Sequence, residues 1–527
     1  MKLPPLQKLH LRRQPVRLEI VLCAALASAI PAVQADSVFT LTGFELIRKF
    51  YPDLTGAAVP VLQPEAPGTL VTDWEVNPGA VGQSPSLFTW ASTLGSATNY
   101  PNLVGMESAH ANTVASLFYG STGAAPGVEH VYEYEASYFY NSFVATGSAL
   151  PAALVNQSFI FTRDEQEQAN IAFDNYAARH RVLFISAAGN DGAVYPPGSG
   201  YNTVGVGAFD GPSSSGPTTD NARCKPDITA PGGFTSFSTP VVSGAAALLL
   251  QGAARGDGGA SVTNAAVDPR VIKALLLNGA VKPSNWNHSA TRPLDLRHGA
   301  GILNVFNSYH QLLGGLHSVS GTSTGPLNAA HTAMNTNSID VVRGWDFAAI
   351  SSTPTEDTAN HYCFDWNPGA RRSATFVATL VWHRQNGKTN INDLDLVLYH
   401  VATTNRMAIS SSLVDNVEHL FVSGLMPGAY DLQVIKKGGT NMISASEQYA
   451  LVFDFFTLSL GIALEGTNAV LSWPLSPAGF HLESGSDLNS TSVWENVSTT
   501  SSAITNGENR ILLPAGTQNR FFRLRGP

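Results

Sequence analysis

One stretch restricts what this chain can fold into more than any other. Gly232-Gly233-Phe234-Thr235-Ser236-Phe237-Ser238-Thr239-Pro240 runs directly into Val241-Val242-Ser243-Gly244-Ala245-Ala246-Ala247-Leu248-Leu249-Leu250. A glycine turn, a Thr-Ser pair and then a small-residue apolar run predict a loop that enters a fully buried helix, with Pro240 expected in its first turn. Ser236 then lies at the helix mouth, where unpaired N–H groups and the positive end of the helix dipole favour negative charge. A serine nucleophile needs that setting when the carbonyl it attacks becomes an oxyanion. Ser is also a common helix cap, so the rest of the chain must decide which role applies.

Upstream, Arg181 to Asn190 reads as a continuous apolar strand closed by Gly189-Asn190, the pattern of a strand buried in a parallel sheet. Leu154 to Phe161 and Thr203 to Ala208 are further strands, and Asp164 to His180 is a helix. Thr55 to Glu65 is an apolar strand broken by two prolines and ending on a carboxylate, and Glu107 to Leu117 is a buried helix with His110 near its start. Asp73 to Tyr100, rich in Gly, Ser, Pro and Asn, reads as a long surface loop. Strands alternating with helices to about residue 314 predict a doubly wound, mostly parallel α/β domain, whose ligands sit beyond the carboxyl ends of the strands. After Gly315 short alternating strands dominate. They predict a β-sandwich over 315–457, jelly-roll-like, and a smaller β unit over 458–527.

A chain of 527 residues with 44% apolar content can fill several cores. Its net charge of −9 argues against nucleic-acid and anionic-membrane partners. The first 35 residues differ: Lys2, Lys8, Arg12, Arg13 and Arg17 precede an apolar run from Ile20 to Ile30 and Val33-Gln34-Ala35. That is the pattern of a secretory signal cut after Ala35, with an apolar run too short to span a bilayer, so a secreted, extracellular or periplasmic protein without a membrane span is expected. Past that point Cys224 and Cys363 are the remaining cysteines and read as two free buried thiols. No His-Glu-x-x-His helix occurs, and Asn392-Asp393-Leu394-Asp395 reads as a solvated turn rather than a calcium site. No metal and no cofactor is expected.

Three segments together resemble the subtilisin-like serine peptidases (subtilases). Lys225 to Gly232 with Thr235 to Gly244 looks like the family's nucleophile segment, Ser186-Ala187-Ala188-Gly189-Asn190 like its oxyanion strand, and Ser108 to Ala115 like its histidine helix, in the same order. The resemblance covers about residues 55–310. It implies a protein or peptide substrate, Ser236 as nucleophile, His110 as base, Asn190 as oxyanion donor and Ser158 on the strand that pairs with the substrate. The family carries Asp at the end of the first strand, where an ungapped count from Thr55-Gly56 lands on Glu65. Gln63, two residues earlier on the same strand face, and Asp73 from the following loop are the alternatives. Phe234 stands where the family has glycine, and the spacing from Pro231 to Ser236 is shorter than usual. These departures support a rival expectation, a degenerate peptidase domain kept as an extracellular binding or scaffold module. The C-terminal β units are expected to bind surface or substrate.

Overall fold

The computed structural model describes residues 20–21, 35–68, 70–327, 329, 331–334, 342–367, 373–487, 493–497, 502–505, 508–515 and 520–526. Of the expected signal segment, all but Ile20, Val21 and Ala35 lies outside the described residues.

The first unit is built on eight strands: β1 (Pro60–Glu65), β2 (Phe88–Ser92), β3 (Gly95–Ala97), β4 (His130–Glu135), β5 (Leu154–Gln157), β6 (Leu183–Ala187), β7 (Thr203–Ala208) and β8 (Ile228–Ala230). They lie in the order β8-β7-β6-β5-β1-β4-β2-β3. All neighbours are parallel except the hairpin of β2 and β3. β1, β5, β6, β7 and β8 are buried along nearly their whole length, which explains the apolar and small residues of β6, β7 and β8, while β1 and β5 also bury Gln63, Glu65, Asn156 and Gln157 at the site end of the sheet. The expected surface loop at 73–100 is a correction. It contains β2, whose Trp90 is fully buried and stacks on Phe88 with centroids 5.2 Å apart. The Gly, Ser and Pro residues around Phe88–Ser92 hide a short strand that tertiary burial stabilises.

The helices that place the site are α1 (Ala109–Phe118), α2 (Gln166–His180), α3 (Thr235–Arg255), α4 (Pro269–Asn278) and α5 (Val305–Leu313). α3 is the only helix among the described residues long and apolar enough to cross a membrane, and its length is almost wholly buried inside this domain. Its small residues allow close packing: a Cβ on Gly244 would collide with Ala124. Valines and leucines of α3 meet Val61, Ile185, Val204 and Val206 of the sheet in one core. Below the sheet edge Asp227 is buried between Lys225 and Lys273, at 2.5 and 3.0 Å. Burial alone would raise its carboxyl, but the two ammonium groups hold it below the usual range.

The next unit is an antiparallel sandwich of a five-stranded and a four-stranded sheet over Gly321–Phe456. Its inner faces bury Phe364, Phe376, Trp382, Leu396, Leu432 and Phe453. The outer face of the four-stranded sheet joins the core of the first unit through Val381, Val417, Ala450 and Val452. Polar contacts tie the two together: Asn202 and Arg384 exchange hydrogen bonds of 2.9 and 2.8 Å, Arg384 pairs with Asp174 at 2.6 Å, Asn416 donates to the Tyr201 carbonyl at 3.0 Å, and the Asp415 carboxylate accepts from the Cys224 N–H at 2.7 Å. Asp395 does not lie in a solvated turn, since it is buried and paired with Lys437 at 3.0 Å. Cys224 and Cys363 are both buried, and no disulfide joins them to each other. From Gly461 onward a four-stranded and a three-stranded antiparallel sheet enclose a small core of Leu471, Trp473, Leu482 and Ile511.

Candidate active site

Glu65 ends β1, Ser158 follows β5, Asn190 follows β6 and Ser236 follows the loop from β8, so each lies beyond a strand's carboxyl end. His110 enters from α1, which is capped by the Ser108 hydroxyl on the Ala111 N–H at 3.3 Å and buries Ala111, Val114, Ala115 and Phe118. Burial of that face turns His110 towards the rim. Its Nδ1 lies 2.9 Å from Glu65 Oε2, and the Glu65 carboxyl is fully buried. Of the three acid candidates, then, the structure brings Glu65 to the imidazole. Asp73 instead accepts from the Leu70 N–H at 3.1 Å. Gln63 donates to the other Glu65 oxygen, Oε1, at 3.0 Å and accepts from the Tyr119 hydroxyl at 2.8 Å.

Ser236 is the second residue of α3, so its N–H belongs to the first turn, where no helical acceptor exists. Pro240 falls inside the helix, in its second turn rather than its first. Lacking an N–H, Pro240 leaves the Ser236 carbonyl without its usual i+4 donor. The Ser158 hydroxyl fills that gap at 2.8 Å, and Asn156 Nδ2 in turn donates to Ser158 Oγ at 3.1 Å. Ser158 is fully buried just past the end of β5, so its side chain supports the nucleophile segment. The Ser236 hydroxyl donates to the Ser158 carbonyl at 3.2 Å, and His110 Nε2 is buried with no hydrogen-bond partner. The imidazole ring is flanked by Phe237, with centroids 5.6 Å apart.

Asn190 is placed by Gly189, whose φ of 97° is left-handed and disfavours a side chain. Asn190 Oδ1 accepts from both the Thr235 N–H at 3.0 Å and the Thr235 hydroxyl at 2.8 Å. Its amide N–H₂ is thereby left as the outward donor beside the mouth of α3.

Sequence reasoning missed Tyr119 and Glu133, which lie in the same buried layer. Glu133 stands opposite Gln63 in the β1–β4 register. Burial, reinforced by the Glu65 and Glu75 charges, pushes its carboxyl well above the ordinary range. Burial likewise pushes Glu75 up to about 7, against a hydrogen bond from Asn102. Glu65 is the carboxylate of this layer that meets a cationic partner when the imidazole is protonated.

The sandwich holds a second Ser-His-carboxylate set that the sequence did not signal. Ser323 Oγ lies 2.8 Å from His361 Nε2, and His361 Nδ1 lies 2.9 Å from Asp431 Oδ2. Asp431 also accepts from Gln433 Nε2 at 2.8 Å and from the Met334 N–H at 3.0 Å.

Residues 96–301 match the model of the subtilase family. That segment is a subtilase domain. The match contains His110, Ser158, Asn190 and Ser236 and leaves Glu65 outside. Pyrolysin from Pyrococcus furiosus is 23% identical over 346 residues, covering 54% of this chain and 22% of its own length. The chain thus spans about a fifth of the curated relative it matches. Among solved structures, the Patellamide maturation protease PatA shares 24% identity with a TM-score of 0.37, covering 49% of this chain and 98% of its own. Tripeptidyl peptidase 2 shares 13% with a TM-score of 0.31, covering 75% and 46%. The subtilase domain keeps the parallel sheet expected from its sequence, and antiparallel sheets follow it.

Proposed function

We propose that the chain is a secreted serine endopeptidase that cleaves peptide bonds through an acyl-enzyme on Ser236. The observation that carries this reading is the Glu65–His110 pair at 2.9 Å, with the imidazole's second nitrogen buried and unpartnered beside the helix mouth that holds Ser236. Glu65 fixes the tautomer with the proton on Nδ1, leaving Nε2 basic. Rotation of the Ser236 side chain away from the Ser158 carbonyl brings its hydroxyl towards that base, which takes the proton as Oγ attacks and later returns it to the leaving amine. The tetrahedral oxyanion is received by the Ser236 N–H and the Asn190 amide, with the α3 dipole behind them. Secretion rests on the N-terminal 35 residues, and N-terminal sequencing of exported protein is expected to begin at Asp36.

One observation favours the rival reading of a non-catalytic binding module: the Ser236 hydroxyl bonds to Ser158, not to His110. A fluorophosphonate probe on the full chain separates the two. Stoichiometric labelling of the parent, lost in Ser236→Ala, supports the peptidase; an unlabelled, folded parent supports the module.

A further inference from the structure

We propose that Gln63 and Tyr119 are positioning residues that hold the Glu65 carboxylate in line with His110, an arrangement this chain needs because it carries Glu at the end of β1. The inference rests on the reading of Glu65 and His110 as acid and base. Glu has one more rotatable bond than Asp, so its carboxylate has more orientations to lose before it faces an imidazole. Something must fix the extra torsion. A strand places residues i and i+2 on one face, so Gln63 is the nearest side chain able to do so.

The hydrogen bonds match that task. Gln63 Nε2 takes Glu65 Oε1, the oxygen that His110 does not use, so the two carboxylate oxygens are held from opposite sides. The same Nε2 lies 3.3 Å from the carbonyl of Ala111, the residue after His110. The sense of the Gln63 amide is fixed by the two acceptors that face its Nε2, the Glu65 carboxylate and the Ala111 carbonyl, which leaves its oxygen to accept from the Tyr119 hydroxyl at 2.8 Å. Tyr119 directly follows α1, the helix that carries His110 in its first turn. One helix is therefore docked on β1 at both ends, by His110 on Glu65 and by Tyr119 on Gln63. All three of Gln63, Glu65 and Tyr119 are fully buried, where an unsatisfied polar group is costly and a fixed hydrogen bond is strong.

The test uses full-length variants Gln63→Met, Tyr119→Phe and the double variant, each checked for parental folding by thermal melting. Gln63→Met is expected to lower kcat roughly 10²-fold, as a misplaced reacting group does, with KM unchanged. Tyr119→Phe is expected to lower it about tenfold, the worth of one buried hydrogen bond. The double variant should match Gln63→Met alone, since both act through one contact. A second readout needs no turnover: in the Ser236→Ala background, the far-downfield proton resonance of His110 Nδ1–H should persist in the parent sequence and be lost on adding Gln63→Met. Parental kcat with that resonance retained overturns the proposal, as does an additive double variant. Should the parent prove inactive and unlabelled, the proposed function fails while the resonance still decides the positioning role. Should Gln63→Met not fold, Tyr119→Phe decides by both measures.

Discussion

The subtilase domain and the sandwich each hold a serine, a histidine and a carboxylate, and the better hydrogen-bonded set is the one with no proposed chemistry. In the sandwich both links are formed, Ser323 to His361 at 2.8 Å and His361 to Asp431 at 2.9 Å. In the subtilase domain only the acid–imidazole link is formed, and the serine hydroxyl is turned to a carbonyl. Both carboxylates even share a supporting glutamine two residues away on the same strand, Gln63 for Glu65 and Gln433 for Asp431. What separates them is the surroundings of the serine. Ser236 opens a 21-residue helix and has the Asn190 amide beside it, whereas Ser323 sits within an edge strand paired with Glu356–Trp366. A fully satisfied triad in a sheet stabilises a fold; a nucleophile needs somewhere for negative charge to go.

The sharpest way to break this contrast is to remove each serine. Ser236→Ala is expected to abolish fluorophosphonate labelling and cut turnover by at least about 10⁴-fold, while Ser323→Ala retains the parental rate. Residual label mapped by mass spectrometry to Ser323 would reverse the assignment. Next come the acids. Glu65→Gln is expected to lower kcat by roughly 10⁴-fold through the wrong imidazole tautomer. Asp431→Asn is expected to leave kcat at parental level but cost about 1–3 kcal/mol in a urea titration, as the partners of a buried acceptor lose it. Asn190→Ala, which removes one proposed oxyanion donor, should lower kcat by roughly 10²–10³-fold with little change in KM.

The smallest effect concerns the acid behind the site. Glu133 binds its proton more tightly folded than unfolded, so its favourable contribution is present below the unfolded value near 4.5 and is lost as pH rises above it. Glu133→Gln mimics the protonated form. Its melting temperature relative to the parent should therefore climb steadily between pH 5 and pH 8, with kcat within about threefold of parental. A gap that does not change with pH would mean that burial does not hold the proton on Glu133 in the folded state.

Much of this was legible in the sequence because the informative segments are local. Buried parallel strands write themselves as apolar runs, so Thr203–Ala208 was found to the residue and Leu183–Ala187 lies within the longer Arg181–Asn190 read from the sequence. Gly189-Asn190 and Thr235-Ser236 carry their geometry in neighbouring residues. β2 was missed because its one indispensable residue, Trp90, lies among turn formers. Gln63 was weighed as the residue at the acid's position because the two-residue period of a strand places it on the face of Glu65; whether it replaces or supports that residue depends on His110, 47 positions away. Tyr119 and Glu133 had no signal, since their meaning comes only from the β1–β4 register and the docking of α1. The sandwich triad was equally silent, with its members spread over three strands.

The seam between the two units has a mechanical consequence. Asn202, gripped by Arg384 of the sandwich, closes the same 188–202 loop that carries Asn190, so the proposed oxyanion donor and the sandwich pull on one short tether. Deleting 315–457 is expected to strip the lining from a shared apolar wall and slacken that tether at once, yielding an insoluble or inert fragment. The proposed catalytic unit would then not be autonomous: heat that loosens the trailing sheets is expected to quench activity before its own helices melt.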